Sequence, residues 1–275
     1  MLNFQSSNPA LNGDTFNEVY GRRSFQAAAE RADTASVQGI VNKTAILIAI
    51  AAIAGAVGYW AVGQNASVLL ISNIAALVLT LGLFFKISRT PMAAVYLAPV
   101  YGAVEGFFLG ALTRGLESVL VAQNIALPAG LALQAFVVTI GVTVAMLALY
   151  SLRILRPTQM FTSVLKVATA GIMICYALSW VLWLFGVQLP FISLSSAFQG
   201  GWPAMIGLGL NVLILGVASL WLIVDFQKIE QLVASGAPRK LEWYGGFALL
   251  VTLAWIYYEA VKLVFRLALL FGSRD

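Results

Sequence analysis

Residues 204–225 read AMIGLGLNVLILGVASLWLIVD, and residues 243–271 read WYGGFALLVTLAWIYYEAVKLVFRLALLF. Each run is long and apolar enough to cross a bilayer as a helix, which takes about 20 such residues. Each also carries a carboxylate, Asp225 closing the first run and Glu259 deep within the second. A charge in a bilayer is expensive and is kept where it has a partner or a water-filled cavity. Reading outward, five more apolar runs precede these two, at 44–62, 68–85, 91–112, 131–152 and 161–185. The expected fold is an all-α polytopic membrane protein, a seven-transmembrane-helix bundle.

Composition points the same way. The 275 residues are 61% apolar and only 10% charged, against roughly 25% charged in a soluble domain. A transmembrane barrel does not fit, because its strands alternate apolar and polar residues over segments of about 10. The chain has no His, and one Cys, Cys175, which leaves no internal disulfide or cysteine cluster. Among Ile172, Met173 and Ile174, Cys175 reads as a buried small apolar residue. No cleavable signal peptide is visible, since residues 1–20 lack a basic n-region followed by an apolar h-region.

Two regions are expected, a flexible cytoplasmic N-terminal tail over 1–43 and a seven-helix transmembrane domain over 44–275. The tail is polar, with a short helix expected near 25–35. Cations set the orientation. With the N-terminus in the cytoplasm, the inner segments carry eleven cations: Arg22, Arg23, Arg31, Lys43, Lys86, Arg89, Arg153, Arg156, Lys228, Arg239 and Lys240. The outer loops carry only Arg114. The positive-inside rule therefore predicts a cytoplasmic N-terminus. The net charge of +5 is absorbed by this pattern and does not indicate nucleic acid. An uncharged outer loop over 187–203 is expected to lie at the membrane interface.

Within the spans, Gly102, Gly106 and Gly110 are spaced four apart and form one helical stripe on which another helix can pack closely. Glu105 lies beside the stripe, a candidate pore or support residue. Glu259, Lys262 and Arg266 share a helix face, so a local Glu259–Lys262 pair is one reading. The other is a pair of acids, Asp225 with Glu259. Two close acids cannot both ionise cheaply, so they share a proton and can latch two helices in one protonation state. Deprotonated, they offer hard oxygen ligands suited to calcium. Lys86, Arg89 and Lys262 are the candidate cation partners of that pair. Asn73, Gln134, Thr139, Thr143, Lys166 and Asn211 read as polar glue between helices. No nucleotide loop, zinc motif or Ser/His/Asp set occurs, and the Gly-x-Gly-Asp of intramembrane aspartyl proteases is missing. The chain is not expected to be an enzyme or to hold a cofactor.

Several stretches together resemble the Bax inhibitor, or transmembrane Bax inhibitor motif, family, in a bacterial branch. They are IVNKT at 40–44, YLAPVY at 96–101, EGFFLG at 105–110, the segment from Asp225-Phe226 to Ile229-Glu230, GAP at 236–238 and EWYG at 242–245. The resemblance covers all seven spans. It implies a seven-helix bundle in a bacterial inner membrane that leaks calcium in a pH-dependent way. It also implies a latch of acids on spans 6 and 7, stabilised by an arginine near span 2. Asp225 matches the first acid, Arg89 is taken as the arginine, and Glu259 stands where the family commonly has Asp.

The expected function is thus a pH-sensitive calcium or cation leak gated by Asp225 and Glu259. Its partners are the bilayer and calcium or protons. The alternative is a non-transporting regulator that binds a membrane protease or stress-response partner through residues 1–43. One geometric tension stands. Glu259 follows Glu242 by seventeen residues, about 25 Å of helix, whereas Asp225 reads as the end of its span. The two meet only if the start of span 7 protrudes, lies along the interface or bends.

Overall fold

The computed structural model describes residues 34–187, 189 and 192–272. Among the described residues, seven helices are long and apolar enough to cross a membrane. They are α1 (Val37–Gln64), α2 (Ser67–Arg89), α3 (Ala94–Ala122), α4 (Gly130–Ser151), α5 (Gln159–Leu184), α6 (Gly201–Ala234) and α7 (Glu242–Phe271). Short 3-10 turns, Pro91–Ala93 and Arg239–Leu241, lead into α3 and α7, and a helical turn, Ser196–Gln199, precedes α6. The short helix expected near 25–35 and most of the tail lie outside the described residues. The part of the tail nearest the membrane is folded, because α1 starts at Val37 and not at Thr44. Ser36 caps it by accepting a hydrogen bond from the Gly39 N–H at 2.9 Å.

Helix α7 is the central element. It packs against α1, α3, α4 and α6, and 61% of its apolar window is buried. At the other extreme is α5, with 6% buried, which leans chiefly on α6. One consequence corrects the sequence reading: Cys175 lies exposed on the outer side of α5. An apolar neighbourhood in sequence reports the membrane, and only packing reports burial.

The glycine stripe of α3 meets α1. A Cβ at Gly106 would strike the Ala51 backbone, and one at Gly110 the Gly55 backbone. Gly102 faces Leu250 of α7, 3.3 Å from a would-be Cβ. Small residues let backbones approach where lipid offers no hydrophobic drive between helices.

Two ends of the chain are clasped where α7 begins. Ala35 N–H donates to the Ala237 carbonyl at 2.7 Å. Glu242, only 2% exposed, accepts from the Ser36 N–H at 3.1 Å and the Ser36 hydroxyl at 3.2 Å. Lys43 lies 5.0 Å from the centre of the Trp243 ring, an attractive cation–π distance.

Candidate functional site

Helix α6 resolves the geometric tension. It does not stop at Asp225 but continues to Ala234. Its 34 residues span about 51 Å, more than a bilayer core of about 30 Å. The extension FQKIEQLVA reads as loop because of Lys228 and Glu230. Yet Phe226, Ile229, Leu232 and Val233 form an apolar stripe that packs in one cluster with Ile40 and Leu249. Asp225 therefore sits inside the helix and 6% exposed, facing α7. Helix α7 runs as one unbroken helix from Glu242 to Phe271, so its start does not bend.

Asp225 and Glu259 share no hydrogen bond among the described residues. In place of one acid pair there are two separate clasps on the α6–α7 seam. In the first, Thr252 of α7 donates its hydroxyl to Asp225 Oδ2 at 2.5 Å. The same hydroxyl lies 3.4 Å from the Ala248 carbonyl of its own helix. In the second, two turns and about 10 Å further along α7, Asn211 of α6 donates to Glu259 Oε2 at 2.7 Å and to the Glu259 carbonyl at 3.3 Å. Thr252 stands opposite Asp225 because α6 runs on to Ala234 and α7 begins at Glu242, which leaves nearly equal lengths of antiparallel helix on the two sides.

Glu259 is wholly buried and fully enclosed by donors. Besides Asn211, Tyr176 of α5 donates to Oε1 at 2.7 Å, and Lys262 bridges to Oε2 at 2.8 Å. Lys262 also donates to the Tyr176 hydroxyl at 2.7 Å. Its ammonium lies 4.8 Å and 4.5 Å from the Tyr176 and Tyr258 ring centres. A buried ion pair holds only when its remaining polar atoms are satisfied, and these contacts supply that. One turn on, Arg266 donates to the Ser196 hydroxyl and the Ser193 carbonyl, both at 2.9 Å. It thereby folds the loop before α6 onto α7.

The structure thus brings Lys262 to Glu259 and leaves Lys86 and Arg89 exposed at the end of α2. Among the described residues neither of these two is in an ion pair. Of the expected polar glue, Asn211 does join two helices. Asn73, Thr139 and Thr143 bond back into their own helix, Gln134 caps the preceding loop at the Pro128 carbonyl, and Lys166 is exposed on α5. Intrahelical bonding is what hydroxyl and amide side chains adopt when no partner lies within reach.

Glu105 stands apart from both clasps. It lines a cavity of about 660 Å³ bounded by α1, α3, α4 and α7. The described residues offer its carboxylate no hydrogen-bond donor, so a support role by bonding a neighbouring helix is not what they display. The described residues also hold no group of three or more His, Cys, Asp or Glu that would cage a metal.

Tyr176, Thr252, Ser193 and Ser196 were not singled out in the sequence. Tyr176 carries one weak signal, the single phenol of its span. A phenol there needs a partner when buried.

Compared with known protein families, residues 8–268 match the model described as Bax inhibitor 1 like. No curated protein and no solved structure matches the chain.

Proposed function

Since the chain belongs to the Bax inhibitor 1 like family, we propose that it is a pH-sensitive leak for calcium across a bacterial inner membrane, with its N-terminus in the cytoplasm. The observation that carries this reading is the seam itself. Two buried carboxylates, Asp225 and Glu259, each tie α6 to α7 through a hydrogen bond. A carboxylate accepts strongly only while it is ionised. Its protonation is therefore the natural event to loosen a helix pair.

Asp225 is the better sensor of the two. Its clasp depends on one hydroxyl, and that hydroxyl has an alternative acceptor in Ala248. Thr252 can release α6 and bond within α7 without leaving a donor unpaired. That is a two-state element of the kind a ligand, here a proton, can bias. Among the described residues, the charge acting on Asp225 is that of Lys228, one turn on along α6. Glu259 is held by three donors and serves as the fixed point about which the seam opens. Ionised Asp225 closes the seam and protonated Asp225 frees it, so leak rises as pH falls. No enzymatic step and no resident cofactor enters this reading; calcium is the cargo.

The test is calcium flux into liposomes across about pH 4 to 8, a range that begins where ordinary carboxylates titrate. Parent protein is compared with Asp225→Asn, Glu259→Gln and the double variant. The proposal expects flux that grows toward acid pH in the parent and loses its pH dependence in Asp225→Asn. Flux that keeps the parental profile in the double variant would remove the seam as the gate. No flux in any folded variant would favour the non-transporting regulator, and partners of residues 1–43 would then be sought.

A further inference from the structure

The cavity beside Glu105 is not part of the α6–α7 seam, and its walls describe a different ligand. Helices α1 and α4 flank it while scarcely touching each other. On the α4 side the wall includes Phe136, Ile140 and Val144, which are 47%, 46% and 59% exposed. In a bilayer those positions face acyl chains, so the opening between α1 and α4 leads sideways into lipid and not to water. The floor is the close α1–α3 crossing at Gly55 and Gly106, and the far wall is Tyr257 of α7.

No Lys or Arg lines this space. Glu105 is its only ionisable carboxyl, and among the described residues that carboxyl has no partner. Calcium is excluded by its own needs, because it takes six to eight oxygen ligands and the walls are almost wholly hydrocarbon. One carboxylate in an apolar slot, with tyrosine faces at Tyr59 and Tyr257, matches instead a single organic cation. The carboxylate neutralises an ammonium, the rings add cation–π attraction, and the hydrocarbon wall takes the rest of the molecule. The volume falls within the roughly 300–1,000 Å³ of small-molecule sites. Depth rules out a phospholipid headgroup as the source of the amine. Glu105 is eleven residues from the start of α3, about 16 Å into the helix, whereas headgroups stay at the interface.

We propose that the α1–α4 crevice is a binding site, entered from the bilayer, for a lipophilic amine whose ammonium pairs with Glu105. This goes beyond the leak reading and does not rest on it.

The probe is dodecylamine bearing a diazirine on its chain, with the matching diazirine dodecanol as a neutral control for partition into lipid. Full-length protein in phosphatidylcholine nanodiscs is irradiated, and labelled peptides are mapped by mass spectrometry. The amine is expected to label the walls at Phe136 and Tyr257 about tenfold more than the alcohol, as a charge pair in a low-dielectric site requires. Glu105→Gln should bring the two probes level. Ala52→Trp, which fills an exposed part of the opening and leaves the carboxylate in the chain, should abolish labelling by the amine. It serves as the deciding variant if Glu105→Gln is not monodisperse. Equal labelling by amine and alcohol in the parent would overturn the proposal and leave a crevice for lipid chains. So would amine labelling that survives either substitution. The readout is a covalent adduct, so it stands whether or not the protein passes calcium.

Discussion

Glu259 and Glu105 are both carboxylates set in the middle of apolar helices, and they have been solved in opposite ways. Glu259 lies at the centre of the bundle with Asn211, Tyr176 and Lys262 all within 2.8 Å of its oxygens. Glu105 lies at the edge of a cavity with no donor among the described residues. The contrast follows from the helices that carry them. Helix α7 is surrounded by four others, so its buried charged side chains, Glu242, Glu259, Lys262 and Arg266, each meet a partner. The face of α3 around Glu105 is roofed by nothing, because α1 and α4 stand apart. An acid whose valences are filled by its own chain supports structure and can gate it. An acid left open is kept for something that comes and goes.

Removing the cation from the enclosed site is the harshest test of that contrast. Lys262→Met leaves the Glu259 carboxylate buried without its countercharge, and about 3–5 kcal/mol of unfolding free energy should be lost. Denaturant unfolding in detergent micelles measures it. Adding Glu259→Gln should restore part of the loss, since the two residues act as one unit. Asn211→Ala comes next: it deletes a bond to a charged group, and about 2–3 kcal/mol should go in the same assay. Thr252→Val keeps the shape of the side chain but strips Asp225 of its donor. About 1–2 kcal/mol should be lost, and liposome calcium flux should become less dependent on pH. The smallest effect is expected at the open site. Glu105→Gln should leave unfolding within about 0.5 kcal/mol of the parent, as a substitution that breaks no contact does. A loss at Glu105 as large as that at Asn211 would erase the distinction between the two acids.

The seven spans were readable because a bilayer demands long apolar runs and nothing else in the chain looks like them. The Glu259–Lys262 contact was readable from helical spacing alone, and so was the glycine stripe. What escaped was everything that depends on register between helices. Lys228 and Glu230 made the end of α6 look like a loop, which hid that Thr252 stands opposite Asp225. Tyr176 escaped because the side of α5 that meets Glu259 is not marked by any period in its sequence. Of the three candidate cations, Lys86 and Arg89 lie exposed at the end of α2, and it is Lys262, three residues from Glu259 on its own helix, that reaches the acid.

The position of α7 also dictates an order of assembly. It is the seventh of the seven spans to leave the ribosome, yet it is the one that α1, α3, α4 and α6 are built around. Before it arrives, α1 and α3 can close on their glycine crossing, but the middle of the bundle has no occupant. The clasp between Ser36 and Glu242 joins segments more than two hundred residues apart, so it too can form only once the start of α7 has been made. A nascent chain halted in the loop before α7 would hold six inserted helices around a gap, with Asp225 and Asn211 turned toward lipid. Such an intermediate leaves those two side chains without the partners that α7 carries, and the arrival of α7 supplies them.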